Sequence, residues 1–489
     1  MTISVAMLAA ECEPWAKTGG LADVVDALAR ALGRLPEAGT ELAAPIDVFL
    51  PRYRSVPVPA DAVREPALVI ADPRGGAPLE VGIVDVAADG YRLRLVDLPA
   101  AFDRDGFYDF PDDPWRFAVF NRAALAALKR DGAPIDVLHV HDWHTGPALI
   151  ERARGEAAKD PFFRDMAVKV TLHNLAYHGW TASDQLGQLG LTAGERLAGP
   201  NPYGIDLLLT AIDGAEMANT VSPGFARESL TPAFGMGLDG VLRAKGDRYV
   251  GILNGIDPDV WNPADDPALA APYSRDDTTG KAACRADLLG RNGFDPTDDG
   301  IVLGMIGRMD PQKGFDLLAD GTPDLLAAGA RVIVQGSGDA SLADPFRALA
   351  KANPGRVALI ERFDREMARR IYAGSDVFLM PSRFEPCGQG QMIALRYGTP
   401  PIVRRTGGLA DSVVDAGEHP RTGTGFVFDD ATPAALVAAV GRAAALRAKP
   451  RAWAALRDRG MAVDFRWDTG SAPKYLEAYQ RAIGIRRGD

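Results

Sequence analysis

Six residues, TGGLAD, occur twice in the chain, at 18–23 and at 406–411, and a cationic residue precedes each copy, Lys17 in the first and Arg405 in the second. Each copy begins a helical pattern. The first N–H groups of a helix are unpaired and carry a partial positive charge, and glycine lets an anion come close to them. A tight turn capped by threonine would use the same residues, but the recurrence in both halves favours anion binding. Lys17 has the stronger claim, because its side chain can swing towards a phosphate.

Two other loops carry charged residues between a strand pattern and a helix pattern. RMDPQKG contains Arg308 and Lys313, and SRFEPCGQGQ contains Glu385 and Cys387. Two cations in such a loop can neutralise a diphosphate leaving group without a metal ion, and a carboxylate beside a glycine suits hydrogen bonds to sugar hydroxyls. The structural alternatives are solvated turn residues, a helix-dipole partner at Glu385 and a small buried hydrophobe at Cys387. We assign Cys387 no nucleophilic role.

Most of the histidines lie in two short motifs, HVHDWH and HNLAYH. They are His139, His141, His144, His173 and His178. Imidazoles at strand ends can ligate zinc, so a metal site has to be considered. No cysteine or glutamate stands at a matching spacing, and H-x-H-D-x-x-H fits no familiar set of ligands. We therefore predict no metal and interpret the histidines as neutral rings that hydrogen-bond a polar substrate, with one or two buried in the core.

Apolar strand patterns alternate with helical patterns through both halves of the chain. Strands that are buried on both faces and separated by helices form parallel sheets. We therefore predict an α/β protein with two doubly wound, Rossmann-like domains facing each other across a cleft, with ligands at the carboxyl ends of the strands. The segment 78–99 alternates around Asp89-Gly90, which predicts a hairpin. The predicted strands are 3–9, 46–50, 135–141, 168–174, 218–222, 300–307, 331–337, 356–361, 376–382 and 400–406.

The chain of 489 residues exceeds what one hydrophobic core usually serves, which indicates two domains. The stretch 257–280 is rich in Pro and Asp and shows little periodicity, so we interpret it as the linker. We place the N-terminal domain at 1–250 and the C-terminal domain at 258–466. The tail, 467–489, contains a helix with no following strand, and we expect that helix to pack back on the first domain.

The composition disfavours several kinds of partner. There are 54 Lys and Arg against 65 Asp and Glu, a net charge of −11, and no long basic stripe, which disfavours nucleic acids and membrane surfaces. No uninterrupted apolar run is long enough to span a bilayer, and the apolar N-terminus lacks the basic region of a signal peptide. Three scattered cysteines indicate a reducing compartment, so we expect a cytoplasmic protein. The oligomeric state cannot be read from the sequence.

Taken together, the motifs resemble the bacterial glycogen synthase and plant starch synthase family, glycosyltransferases of the GT-B fold. The resemblance runs in order over almost the whole chain. The motifs that carry it are KTGGLADV (17–24), HVHDWHTG (139–146), TLHNLAY (171–177), ANTVSP (218–223), LNGID (253–257), GRMDPQKG (307–314), SRFEPCG (382–388) and RYGTPPIVRRTGGLADSV (396–413).

The resemblance implies a reaction. The enzyme would be a retaining hexosyltransferase that moves glucose from ADP-glucose to the non-reducing end of an α-1,4-glucan such as glycogen. The N-terminal domain would bind the glucan and the C-terminal domain ADP-glucose, and neither a metal nor pyridoxal phosphate would be required.

The resemblance also implies the residues that carry the reaction. Glu385, Lys313, Arg308, His173 and Asp142 would be catalytic. The contacts would be Lys17, Gly19 and Gly20 for the distal phosphate; Arg308 and Lys313 with the backbone of Thr406, Gly407 and Gly408 for the diphosphate; Glu385, His173 and Asn254 for the glucose, with Cys387 beside the donor; and Asp142 near the anomeric carbon.

The sequence departs from the family pattern in two places. After EPCG the usual Leu-Thr-Gln is Gln389-Gly390-Gln391, which keeps the last glutamine and is expected to loosen that helix start. Where the family often has a tyrosine against the adenine ring, we align Phe363, which keeps the stacking and loses any contact from the hydroxyl.

Three other functions have to be weighed. A glycogen phosphorylase-like enzyme would need a lysine Schiff base for pyridoxal phosphate, and the chain is short for that family. A catalytically inactive glucan-binding paralogue would not need Lys17, Arg308, Lys313 and Glu385 together. Within the transferases, UDP-glucose is the alternative donor, because the sequence does not fix the base.

Overall fold

The computed structural model describes residues 2–35, 42–43, 45–192 and 203–488. The chain forms two compact units, each of which combines a mainly parallel sheet with helices. The first unit consists of Met1–Val221, Ala226–Ile252 and Trp467–Asp489, and the second consists of Ser222–Phe225 and Leu253–Arg466. Within the described ranges, no helix is both long and apolar enough to cross a membrane.

The first unit is built on a ten-stranded sheet and a separate two-stranded one. The strands are β1 Val5–Leu8, β2 Ile46–Pro51, β3 Val63–Arg64, β4 Leu68–Ile70, β5 Leu79–Ala87, β6 Tyr91–Asp97, β7 Val137–His141, β8 Ala167–Leu172, β9 Trp180–Ala182, β10 Gly204–Asp206, β11 Met217–Thr220 and β12 Tyr249–Gly251. The large sheet has the order β12-β11-β8-β7-β1-β2-β6-β5-β3, with β4 also paired to β5. Neighbours from β12 to β6 are parallel.

The strand order of this sheet reverses at β1, which pairs with β2 on one side and β7 on the other. In a doubly wound sheet the loops that leave two strands at such a reversal separate and leave a crevice for ligands. The loops after β1 and β7 contain Lys17 and Asp142. The topology therefore brings the first TGGLAD copy and the HVHDWH motif to one edge of the sheet.

Helices of the first unit lie between these strands. Helix α1 shows how they form, because its buried Leu21, Val24, Leu28 and Leu32 recur at the three- and four-residue spacing of one helix face. The helices are α1 Gly20–Arg34, α2 Pro99–Phe102, α3 Asp113–Asp131, α4 Pro147–Arg154, α5 Glu156–Lys159, α6 Leu207–Gly214 and α8 Asp239–Lys245. Helix α7 Pro223–Glu228 contains residues of both units.

The second unit is a fully parallel six-stranded sheet with the order β15-β14-β13-β16-β17-β18. Its strands are β13 Val302–Met309, β14 Arg331–Gly338, β15 Val357–Ile360, β16 Val377–Met380, β17 Pro401–Arg404 and β18 Phe426–Phe428. Its helices are α9 Gly280–Arg291, α10 Phe315–Ala327, α11 Ala340–Ala352, α12 Arg365–Gly374, α13 Gly390–Arg396, α14 Gly407–Ser412, α15 Pro433–Arg447 and α16 Pro450–Met461. The reversal lies between β13 and β16, the strands that precede the RMDPQKG and SRFEPCG loops.

The α/β class and the ten predicted strands are confirmed, with ends that differ by at most two residues. The hairpin is also confirmed, since β5 and β6 are antiparallel on either side of Asp89-Gly90. The strands that the sequence analysis missed have two or three residues each, too few to show a period; they are β3, β4, β9, β10, β12 and β18.

The interpretation of 257–280 as a linker is wrong, because much of this segment is packed within the second unit. Asp266 is buried and accepts hydrogen bonds from Arg369 at 2.8 Å and from the Tyr397 hydroxyl at 2.5 Å. Buried Tyr273 donates to the Tyr397 carbonyl at 2.9 Å. The Pro and Asp residues of the segment 257–280 therefore form turns, and side chains far away in the sequence hold these turns in place.

The last helix, α17 Ala472–Arg487, belongs to the first unit. Its Tyr475 and Tyr479 are fully buried. The Tyr479 hydroxyl lies 2.9 Å from Nδ1 of His139 in β7, and Asn219 of β11 donates to the Tyr475 hydroxyl at 3.3 Å. The helix therefore completes the core on one face of the ten-stranded sheet.

Candidate active site

The first TGGLAD copy is held by a residue that the sequence analysis missed. Glu11, buried after β1, accepts hydrogen bonds from the Thr18 N–H at 2.5 Å, the Thr18 hydroxyl at 2.6 Å and the Gly19 N–H at 3.0 Å. The Tyr108 hydroxyl donates to the same carboxylate at 2.8 Å. The Gly19 N–H is therefore already bonded within the protein, and the contact of Gly19 with the distal phosphate stays a prediction.

The side chain of Lys17 and the space beside the two glycines of this loop remain accessible to a ligand. The Lys17 ammonium lies 2.5 Å from Asp23 and 3.6 Å from Glu13, with 30% of its side chain exposed. Among the residues that the structure describes, no atom would lie within 4 Å of a Cβ at Gly19 or Gly20. Packing among the described residues therefore does not explain why both positions lack a side chain. An anion that approaches the backbone would explain it.

Asp142 combines backbone strain with a buried carboxyl group. Its φ of 54° and ψ of −171° lie in a region that favours glycine. Its Oδ1 accepts from the His173 N–H at 2.7 Å. Burial raises the pKa of the Asp142 carboxyl to about 7, against the opposing effect of the backbone N–H groups of His173 and Asn174. Strain and a shifted pKa at one residue are typical of a functional site.

The histidines have separate surroundings. His139 bonds to Thr171 and Tyr479, His144 stacks on Trp143 at 4.0 Å between ring centres, and His178 lies 2.5 Å from Asp206. His141 and His173 pair with each other, with 3.0 Å between Nδ1 of His141 and Nε2 of His173. Among residues 2–35, 42–43, 45–192 and 203–488, no three His, Cys, Asp or Glu side chains group as a metal site.

In the second unit, the loops after β13 and β16 meet through an ion pair. The Lys313 ammonium donates to Oε2 of Glu385 at 2.6 Å, and the Ser382 hydroxyl donates to the same oxygen at 3.0 Å. Glu385 is buried, while about half of the Arg308 side chain is exposed beside Asp310 at 2.7 Å. The two predicted cations and the predicted carboxylate therefore lie on adjoining loops of one sheet edge.

The second TGGLAD copy supports Glu385 from behind. Gly407 has φ +42°, and a Cβ there would overlap the Glu385 carbonyl oxygen. The Gly408 N–H donates to that oxygen at 3.1 Å, and a Cβ on Gly408 would lie 2.5 Å from Cα of Cys387. Buried Thr406 precedes them. Glycine is required here because the two loops pack backbone to backbone.

Cys387 and Asn254 lie together beside this loop. Burial raises the pKa of the Cys387 thiol to about 12, while the N–H of Asn254 contacts it, so the thiol is protonated at neutral pH. The buried Oδ1 of Asn254 has no hydrogen-bond partner within the described part of the chain. A polar atom left in this way is suited to a ligand hydroxyl. Ser222, another residue missed from the sequence, donates to the Pro386 carbonyl at 2.5 Å.

The chain matches two family models, "Starch synthase catalytic domain" over residues 4–244 and "Glycosyl transferases group 1" over residues 300–445. It is 41% identical to a glycogen synthase of Syntrophotalea carbinolica, over 99% of both proteins. It is 40% identical to a glycogen synthase of Roseobacter denitrificans, over 99% of this chain and 100% of that protein.

The chain belongs to the glycogen synthase and starch synthase family. Among solved structures, the catalytic domain of starch synthase IV from Arabidopsis thaliana, bound to ADP and acarbose, matches with a TM-score of 0.89 at 32% identity, covering 99% of this chain and 100% of that one. Sucrose-phosphate synthase from Thermosynechococcus elongatus, at 18% identity and a TM-score of 0.61, shares the fold alone. The family's GT-B fold and its glycosyltransferase class therefore apply to this chain.

The first departure from the family pattern has a packing reason. At Gly390, a Cβ would lie 2.9 Å from the Phe378 ring and 3.3 Å from the Tyr372 hydroxyl. A side chain at position 390 would therefore have no room, and the loosening of this helix start stays a prediction. Gln391 keeps hydrogen bonds to the Gly388 carbonyl and the Ser412 hydroxyl, both at 2.9 Å.

The second departure, Phe363, lies in the loop after β15. The ring is 73% exposed, and the Arg365 guanidinium lies 5.8 Å from its centre. An exposed aromatic ring next to a cation offers a stacking surface. The stacking of a base on Phe363 stays a prediction.

Proposed function

We propose that the protein is a glycogen synthase that transfers glucose from ADP-glucose, with retention, to the non-reducing end of an α-1,4-glucan. Glycogen synthases of about 40% identity over the full length support the activity. The ADP and acarbose bound to the similar starch synthase structure support a nucleotide donor and a glucan acceptor. We further propose a cytoplasmic location, in keeping with three cysteines that are buried and form no disulfide.

The observation that carries the proposal is the Lys313–Glu385 pair beside Arg308. An ammonium has three N–H donors, so Lys313 can keep its bond to Glu385 and still donate to a phosphate oxygen. Arg308 can reach the same diphosphate from its exposed position at the end of β13. Glu385, held by Lys313 and Ser382, would then present its remaining oxygen to the sugar hydroxyls.

In the proposed reaction, the bond between the anomeric carbon and the diphosphate breaks while the acceptor oxygen bonds to that carbon from the same face. The acceptor proton passes to the departing phosphate oxygen, so the protein need not supply a base. Cations aimed at the leaving group stabilise the charge that develops there. In this proposal Asp142 lies near the anomeric carbon and would stabilise the positive charge that develops on the sugar.

A donor panel tests the proposal. Purified enzyme with glycogen should release nucleoside diphosphate faster from ADP-glucose than from UDP-glucose, and anomeric proton NMR of the product should show only new α-linkages. Lys313→Ala and Glu385→Gln should lose most of this activity. A preference for UDP-glucose would correct the donor, and glucan binding without transfer from either donor would indicate an inactive paralogue.

The same preparation tests whether the activity requires a cofactor. We propose that neither a metal nor pyridoxal phosphate is needed, so activity in excess EDTA should equal that of the untreated enzyme. A strict requirement for an added divalent ion would overturn this part of the proposal. Absorbance in the band of a pyridoxal phosphate Schiff base, lost with activity on reduction, would instead favour a phosphorylase-like chemistry.

A further inference from the structure

Two histidines from neighbouring strands face each other in the first unit. Strands β7 and β8 are parallel, His141 ends β7, and His173 directly follows Leu172, the last residue of β8. Nδ1 of His141 lies 3.0 Å from Nε2 of His173, and the rings are stacked with 5.3 Å between their centres. This pair includes His173, which the family resemblance assigns to the glucose, whereas His141 has no role so far.

Both rings are neutral, and this restricts where their protons can be. Burial lowers the pKa of His141 well below its ordinary value, and burial together with Lys169 lowers that of His173 to about 3. A neutral imidazole carries one proton, on one nitrogen only. The 3.0 Å contact is a hydrogen bond only if one of the two facing nitrogens carries a proton and the other does not.

The second nitrogen of His141 distinguishes the two arrangements. Nε2 of His141 is buried and has no hydrogen-bond partner within the described residues. If His173 donated from its Nε2, Nδ1 of His141 would be the acceptor, and His141 would carry its proton on its own buried Nε2. That N–H would have no acceptor, which is rare in proteins. If His141 donates from Nδ1, the buried nitrogen holds only a lone pair.

The surroundings favour the second arrangement as well. The Lys169 amine lies 3.1 Å from Nε2 of His139, and the His139 ring lies 4.1 Å from that of His141. The Lys169 amine presents N–H donors on this side, which favours a lone pair on its imidazole neighbours over a further N–H dipole directed at it. The Asp142 carboxylate meanwhile holds the His173 backbone N–H at 2.7 Å, which fixes the strand end that carries the ring.

We propose that His141 is a positioning residue that holds His173 in the tautomer protonated on Nδ1. His173 then meets its ligand as a hydrogen-bond donor, and in the part of the chain that the structure describes no protein group bonds its Nδ1. The identity of that ligand as a sugar hydroxyl rests on the proposed function. A fixed Nδ1–H donates to the hydroxyl oxygen and leaves the hydroxyl proton to be donated elsewhere.

The tautomers can be measured without an activity assay. With six histidines in the chain, protein labelled with ¹⁵N-histidine should give resolvable long-range proton–nitrogen correlations, assigned by the signals lost in His141→Asn and His173→Gln. We expect a protonated Nδ1 and an unprotonated Nε2 for both His141 and His173. A proton on Nε2 of His173, or a charged ring in the pair at neutral pH, would overturn the proposal.

Variants of His141 test the consequence for turnover. His141→Asn keeps a donor near the position of Nδ1, whereas His141→Leu removes it. Since one hydrogen bond is at stake, we expect His141→Leu to lower kcat about tenfold or more, and His141→Asn to stay within about threefold of wild type. Affinity for ADP alone should not change in either variant.

A matched control separates this role from packing. His144 lies in the same motif, but it is packed against the rings of Trp143, Phe117 and Tyr108 rather than against His173, so the structure makes it one of the histidines of the core. Within the described residues its Nδ1, like Nε2 of His141, has no hydrogen-bond partner. His144→Leu should match His141→Leu in thermal stability and keep its kcat. An unchanged kcat in His141→Leu, or an equal loss in His141→Asn, would contradict the proposal. If wild type transfers no glucose at all, the proposed function fails, while the NMR measurement still decides the tautomer.

Discussion

The two TGGLAD copies have the same six residues and different surroundings. In the first copy the glycines border open space, and the N–H groups of Thr18 and Gly19 bind the Glu11 carboxylate. In the second copy the glycines are enclosed by the backbone of Glu385 and Cys387. The last residue differs too, because Asp23 pairs with Lys17 whereas Asp411 accepts from the Gly224 N–H at 2.5 Å.

This difference changes how the repeated motif is interpreted. Glycine in the first copy leaves room for something outside the protein, while glycine in the second lets two loops of the protein come together. The two cations do not differ in this way, because Arg405 pairs with Asp429 at 2.7 Å and Glu418 at 2.6 Å, just as Lys17 pairs with Asp23 and Glu13. We therefore regard the first copy as a ligand loop and the second as the support of Glu385.

The largest expected effect is the difference in stability between two variants, each of which adds one methyl group to one TGGLAD copy. Gly407→Ala would place a Cβ against the Glu385 carbonyl at a φ of +42°, so we expect it to lower the free energy of unfolding by about 3 kcal/mol or more. Gly20→Ala meets nothing within 4 Å and begins a helix, so its stability should stay within about 0.5 kcal/mol of wild type. Urea unfolding of both variants measures this.

The same pair of variants also tests the ligand. Gly20→Ala should lower kcat despite its normal stability, because the added methyl group keeps a phosphate from the backbone. Normal stability together with normal kcat in Gly20→Ala would mean that the first copy is only a turn. A Gly407→Ala variant as stable as wild type would remove the distinction between the copies.

The second test compares the lysines that belong to the two regions. Lys313 lies in the second unit with the proposed nucleotide contacts, whereas Lys17 lies in the first. A charge-assisted hydrogen bond contributes roughly 1.5–3 kcal/mol, so Lys313→Ala should weaken ADP binding and slow turnover, each by about tenfold or more. Lys17→Ala should slow turnover to a similar degree while calorimetric ADP affinity, measured without glucan, stays near wild type. Equal losses of ADP affinity would contradict the division of roles.

Asp142 allows a pH test of the first region. Its folded-state pKa of about 7 lies above the unfolded value, so the folded state keeps a proton that the unfolded state loses. The stability of wild type should therefore fall as the pH rises from about 4 to about 7, and then level off. Asp142→Asn has no such proton and should gain about 2 kcal/mol relative to wild type between pH 5 and pH 8. A pH-independent difference between their unfolding midpoints would show that Asp142 titrates normally.

The smallest expected effect concerns the base. If Phe363 stacks on adenine, Phe363→Ala should raise KM for ADP-glucose and narrow its advantage over UDP-glucose, with about 1 kcal/mol at stake. Because the ring is 73% exposed, stability should not change. An unchanged ratio of kcat/KM for the two donors would remove Phe363 from the nucleotide site.

The parallel sheets could be predicted because strands buried on both faces read as continuous apolar runs. β8, for example, is buried at all six of its positions. The segment 257–280 was misread because its Pro and Asp residues are typical of turns, and nothing local reveals that Arg369 and Tyr397 bury Asp266. Packing that depends on residues more than one hundred positions away leaves no local pattern.

The candidate residues could be predicted because loops at strand ends carry chemistry in α/β folds. The sequence does not show which groups those loops already satisfy. Glu11 was missed because it stands alone before Cys12 and Pro14, and its hydrogen bonds to Thr18 and Gly19 depend on the path of the loop. For the same reason, two identical TGGLAD copies could not be told apart from their residues.

Helix α17 has a consequence for the order in which the molecule is made. The buried Lys169 amine lies 4.3 Å from the Tyr475 ring, and Tyr479 bonds His139, so this part of the first core stays open until α17 leaves the ribosome. The ribosome synthesises Leu253–Arg466, the continuous part of the second unit, before that helix. The nascent first unit must therefore remain unfinished, with a lysine still in water, while more than two hundred residues of another fold are being made.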